Sequence, residues 1–245
     1  LKKSPTKTVA QCLLAIKNYK SDNDERVDRL VNLLAERQIT DGAGRGSFEN
    51  SVYSDMWAYL ALGEAGRISA IDPETGRDYI LSKQGTDGSW GETFSGVYYP
   101  DVLSTNQAIR SLTYLPEAAS KEVEEAIANG LAYLKSLQQP DGGVYAAPFD
   151  DPAIDNSELV VTLCRLNQDP AAVEWENSAG LTPVDYLLNK TMNDDGSFGT
   201  TRNIMGAAEA LSALLLVKGE GSPSEENPRP AGDDHRIKVQ IAVVG

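Results

Sequence analysis

Apolar positions along this chain follow two different helical rhythms. In one kind of segment they form a single stripe. Val123, Ile127, Leu131, Leu134 and Leu137 advance by four, four, three and three, with Glu122, Glu124, Glu125 and Lys135 on the other side. That spacing predicts an amphipathic helix with one wet face. Comparable stretches lie at about 24–37, 75–83 and 183–190. In the second kind, at 56–62, 159–164 and 207–217, apolar residues run nearly all round. A helix apolar on every side is expected to be buried on every side. A further stretch at about 8–20, with Val9, Cys12, Leu13 and Ile16, reads as one more buried helix.

The two kinds alternate, and a turn marks each change from wet to buried. Asp-Gly pairs recur at Asp41-Gly42, Asp87-Gly88, Asp141-Gly142 and Asp195-Gly196, spaced by 46, 54 and 54 residues. Three of them open similar loops: Asp87-Gly88-Ser89-Trp90-Gly91, Asp141-Gly142-Gly143-Val144-Tyr145 and Asp195-Gly196-Ser197-Phe198-Gly199. The first copy carries an insertion and rejoins the pattern at Gly46-Ser47-Phe48. Glycine supplies a left-handed residue to end the wet helix, and aspartate supports the turn. Trp90 and Phe198 read as plugs between neighbouring helix pairs. Ser54, Ser104, Asp155 and Asn203 each stand eight residues before a leucine of a buried helix and are of N-cap type.

This alternation predicts an all-α fold of nine helices, five inner and four outer, arranged as two concentric rings. The expected organisation is a helical repeat domain over 1–218, a linker over 219–234 rich in proline, glycine and acid, and the start of a β domain over 235–245. The closing alternation Ile237, Val239, Ile241, Val243 is strand-like but too short to stand alone. The chain therefore reads as a piece of a longer protein.

Charge narrows the partners. The 245 residues carry 22 basic and 36 acidic side chains, a net of −14. Such a surface repels phosphate backbones and anionic lipid heads, which argues against nucleic acid or membrane insertion. The two cysteines, Cys12 and Cys164, lie in apolar runs and read as small buried hydrophobes. The lone histidine, His235, lies beyond the repeats, so no metal-ligand spacing exists and no cofactor is expected. Asn193-Asp194-Asp195-Gly196 lacks the remaining ligands of a calcium loop, with Arg202 where a glutamate would stand, and reads as a solvated turn.

Gln84, Gly88 and Trp90, echoed by Gln138…Val144 and Asn189…Phe198, resemble the Gln…Gly-x-Trp repeat of the terpenoid cyclase and protein prenyltransferase α/α-toroid superfamily. The resemblance covers about 8–217 and implies an α/α toroid. The tail resembles the first strand of the transcobalamin-like β domain. Class II terpene cyclases use an Asp-x-Asp-Asp motif at the start of an inner helix. The counterpart here is Ala153-Ile154-Asp155-Asn156, in which Asp155 alone matches. Protein prenyltransferases hold zinc on Asp, Cys and His, a set this sequence does not offer.

The loops before the inner helices are expected to gather at one mouth. They carry Tyr53, Asp55, Tyr98, Tyr99, Asp101, Tyr145, Phe149, Asp150, Asp151 and Arg202, and Asp155 follows just inside. Aromatics with a few polar groups in a concavity suit a ligand. Two functions follow. The first is a non-catalytic extracellular or cell-surface module that binds a small molecule or a surface partner, a corrinoid by resemblance to the transcobalamins. The alternative is an enzyme acting on an isoprenoid within the ring.

Overall fold

A computed structural model of the chain describes residues 3–17, 25–146, 151–194 and 204–218. The fold is all-α: the described residues form nine α-helices and one two-stranded hairpin. Chain contacts divide it into two compact units, 1–130 and 131–245. The linker and strand expected over 219–245 lie outside the described residues, as do Phe149, Asp150, Phe198, Arg202, Asn203 and His235.

The first unit holds α1 (Thr6–Lys17), α2 (Glu25–Ala35), α3 (Val52–Glu64), α4 (Pro73–Ser82), β1 (Trp90–Phe94), β2 (Val97–Asp101), α5 (Val102–Leu112) and most of α6 (Lys121–Ser136). α1 packs on α3, and α3 on α5. From Ser54 to Gly63 every residue of α3 is buried, matching its apolar sequence. α2 is the opposite type: Val27, Leu30, Val31 and Leu34 are buried while Arg26, Arg29 and Asn32 face outward. The second unit holds the end of α6, α7 (Pro152–Arg165), α8 (Pro183–Tyr186), which continues as a π turn over Leu187–Thr191, and α9 (Ile204–Val217). Its core joins Ala153 and Val160 of α7, Val184 and Leu187, and Ala210 and Ala213 of α9.

The repeated glutamine is a latch. The Gln84 amide donates to Gly88 O at 2.9 Å within its own turn and to Ala126 O of α6 at 2.8 Å. Gln138 repeats this on Gly142 O at 3.1 Å and Trp175 O at 2.7 Å. Gln38, one copy earlier, exchanges two bonds with the backbone of Asp72, the cap of α4. The plug residues Phe48, Trp90 and Val144 are buried. Their backbone N–H groups are taken by one repeat position on the helix that follows, α3, α5 or α7: Asp55 at 2.8 Å, Thr105 at 2.9 Å and Asn156 at 2.8 Å.

Four expectations need correction. The N-caps are Ser51, Asp101 and Asp151, three or four residues ahead of Ser54, Ser104 and Asp155, which lie inside the first turn. The expected positions follow the apolar run, whereas each helix starts a turn earlier in polar sequence. The Asp-Gly glycines do not end the wet helices: α4 stops at Lys83, and Gly88 sits in the turn beyond it at φ +87°. There a side chain would meet the backbone oxygen of Asn129 at 2.4 Å. Residues 90–101 form a hairpin around Ser95-Gly96 where a plain loop is expected. Finally, α9 is not buried all round, since Ile204 is 87% and Leu211 57% exposed. The thiols of Cys12 and Cys164 are free and half-buried.

Candidate functional site

At the start of α3, Ser51 Oγ caps Ser54 N and also donates to Glu92 Oε1 of β1 at 2.7 Å. The same oxygen accepts from Tyr53 N at 3.0 Å, which ties the hairpin to the helix. The Tyr53 hydroxyl accepts from Lys7, whose ammonium lies over the Tyr53 ring at 4.3 Å. Asp55 points inward and is fully buried. One of its oxygens takes the amides of Phe48 and Glu49, at 2.8 and 3.0 Å, and the other takes the Tyr79 hydroxyl at 2.6 Å. Burial pushes the Asp55 carboxyl above its ordinary 3.8, against the pull of the bonds from Tyr79, Phe48 and Glu49.

This shift has a signed consequence. The folded state holds the Asp55 proton more tightly than the unfolded chain does, so its stabilising share is complete below about pH 3.8 and is lost as pH rises through the elevated value. Asp55→Asn, which keeps an acceptor for the two amides, is expected to remove this decline. Its melting temperature should exceed that of the wild type at neutral pH and converge with it in acid. Parallel melting curves that never converge would refute the assignment.

Before α5, Tyr98 OH lies 3.0 Å from both Ser89 O and Ser89 Oγ and packs over Gly85. Tyr99 is exposed, and Asp101 caps α5 through Ser104 N at 2.7 Å. These three residues are therefore a packing contact, a surface ring and a helix cap.

In the second unit the expected residues converge. Tyr145 OH donates to Asp141 Oδ2 at 3.2 Å, and its ring lies 5.5 Å from that of Tyr186. Asp151 caps α7 through Ala153 N at 3.0 Å. Asp155 follows one turn later, its N–H bonded to Asp151 O at 3.0 Å, and is only 4% exposed. Burial first, then Tyr145 and the carboxylates of Asp141, Asp151 and Asp155, drives the Tyr186 hydroxyl far above its ordinary range. Two phenols and three carboxylates thus share one electrostatic neighbourhood at the start of α7.

Spacing puts Asp151, Asp155 and Glu158 on one face of α7. Glu158 is buried and leads to a cleft of about 320 Å3 between α7 and α9, lined by Ser157, Glu158, Val161, Met205, Ala208 and Glu209. Asn156, at a place where the Asp-x-Asp-Asp pattern has an acid, is bound to Val144: its Oδ1 takes Val144 N and its Nδ2 donates to Val144 O at 3.2 Å. Ala153, at the first acid's place, is in the core. Asp155 is left as the member of that tetrapeptide able to present a carboxyl.

No protein-family model matches the chain. The chain is similar to the drimenyl diphosphate synthase of Streptomyces showdoensis, at 27% identity over 165 residues. That span is 61% of this chain but only 30% of the synthase. The likeness is distant and partial, and it supports a terpenoid-cyclase-like superfamily. It favours the enzyme-like alternative over an extracellular binding module and lends nothing to the transcobalamin-like tail.

Sequence reasoning overlooked Glu92, Tyr186, Glu158 and Glu209. Glu158 was legible: it stands seven residues after Asp151 and three after Asp155, a helical spacing. Tyr186 and Glu92 had no local signal, because long-range packing brings each to its partners.

Proposed function

We propose that this chain is the helical-repeat portion of a terpenoid-cyclase-like enzyme, built as an α/α toroid, that acts on an isoprenoid. The supporting observation is Asp155: buried in the first turn of α7 with acids on either side along the helix face, in a chain similar to a drimenyl diphosphate synthase. Protonating an alkene takes a carboxyl held away from bulk water, and Asp155 is 4% exposed. Asp155 is assigned as the proton donor. Asp151 holds the helix start, and Tyr145 and Tyr186 form the aromatic wall beside the acids. Val161, Met205 and Ala208 give the α7–α9 cleft the apolar surface that a hydrocarbon chain needs.

The test is turnover of linear isoprenyl diphosphates of graded length, with products extracted and read by gas chromatography and mass spectrometry. Wild-type protein is expected to release cyclised product, and Asp155→Asn to lose at least about a hundredfold in rate with an unchanged helical signal, as removal of an acid catalyst does. An Asp155→Asn protein that turned over at the wild-type rate would end the proposal. So would wild-type protein that neither turned over nor bound any of these diphosphates.

A further inference from the structure

α9 carries an apolar surface that a buried helix does not leave open. Ile204, Ala208, Leu211 and Leu215 follow steps of four, three and four, and all four are exposed. The stripe is continuous along the helix and borders the α7–α9 cleft through Met205 and Ala208. The earlier inner helices differ: α3 is almost wholly buried, with α1 on one flank and α5 on the other. Four aligned apolar side chains in water mark a surface built to be covered.

We infer that the cover is residues 236–243 of this same chain. That segment lies outside the described residues, and the inference rests on its sequence, its reach and its charge. Ile237, Val239, Ile241 and Val243 alternate with Lys238, Gln240 and Ala242, so an extended chain presents all four large apolar side chains on one face. Extended, 237–243 spans about 20 Å. The α9 stripe from Ile204 to Leu215 spans about 17 Å, so the two apolar faces match in length. The 19 residues from 218 to 236 reach up to about 60 Å when extended, ample to double back along one helix.

Charge gives the same direction. In a chain of net charge −14, residues 235–245 contain Arg236 and Lys238 and no acid. The cleft beside the stripe is lined by Glu158 and Glu209. A basic, apolar-faced segment next to an acidic, apolar groove is complementary in both respects. Burying three or four aliphatic side chains on each partner supplies the driving force. This inference is independent of any catalysis by Asp155.

Hydrogen exchange of the full chain, read by mass spectrometry on peptides from α9, tests it. The comparison is wild type against Ile237→Asp/Ile241→Asp, which alters the tail and leaves every described residue intact. Peptides from 204–217 are expected to exchange about tenfold faster or more in the variant, with α3 peptides unchanged and wild-type protection independent of protein concentration. Arg236→Glu/Lys238→Glu should move the same peptides in the same direction by less. Identical exchange of 204–217 in wild type and the Ile237/Ile241 variant overturns the inference. Wild-type protection that grows with concentration also overturns it, assigning the stripe to a second copy.

Discussion

Trp90→Ala is expected to cost the first unit about 3–5 kcal/mol, the range for deleting a large buried aromatic. The Trp90 side chain is fully buried, and its indole N–H donates to Ile80 O at 2.7 Å. Gly130 of α6 lies against the ring so closely that a side chain there would come within 2.9 Å of it. Alanine would therefore open a cavity and remove one of the two hydrogen bonds that the Ile80 carbonyl accepts, leaving it the bond from Lys83 N at 3.1 Å. Trp90→Phe should keep most of the packing and lose chiefly the hydrogen bond, so its loss should be about 1–2 kcal/mol. Urea denaturation of the three proteins at matched slope gives the comparison. A loss below about 1 kcal/mol for the alanine variant would mean that the repeat closes without its plug.

The second expected result has the opposite sign. Gln107 lies on α5 with no exposed surface, and neither its Oε1 nor its Nε2 has a hydrogen-bond partner among the described residues. The hydroxyls of Ser104 and Ser111, on the same helix face, share that state. A buried amide left unbonded costs about 1–3 kcal/mol, and a methionine of similar length and volume has no such group to desolvate. Gln107→Met is therefore expected to stabilise the protein by about 1–3 kcal/mol. A midpoint that fell would show that α5 requires the amide for a contact methionine cannot make.

Much of this architecture was legible because the repeat states it several times over. The stripe of α6, the all-round apolar run of α3 and the Gln84 and Gln138 positions each follow from spacing or composition that local backbone geometry reads directly. The hairpin at 90–101 was hidden by its neighbours: its signal is a single Ser-Gly turn, and helices on both sides set the expected period. The exposed stripe of α9 could not be read at all, since Ile204 and Leu211 are as apolar as the buried leucines of α3. Sequence reports how greasy a face is, while the presence of a neighbour is a tertiary fact. The functional residues divide in the same way. Asp101 and Asp151 looked like mouth carboxylates because caps and ligands use the same residue types in the same loops. Asp155 was visible as part of a motif, but the company of Tyr186 depends on a segment about thirty residues further on.

The glutamine latches also bear on how such a chain can be lengthened or shortened over generations. Each amide grips backbone well ahead of it, at Asp72, Ala126 or Trp175, and those of Gln84 and Gln138 also close their own turns. The boundary that looks natural in the sequence, just after a turn, therefore cuts every latch in two. A duplication event that copied the block 41–87 or 87–141 would still regenerate a complete latch at the join, because each of these blocks supplies both a glutamine and the carbonyl that the preceding glutamine needs. A deletion of one whole block heals by the same rule. In the last copy of the given sequence the position holds the shorter Asn189, exposed to solvent. By this rule a change of whole blocks keeps the latches complete, and a change by a fraction of a block breaks one.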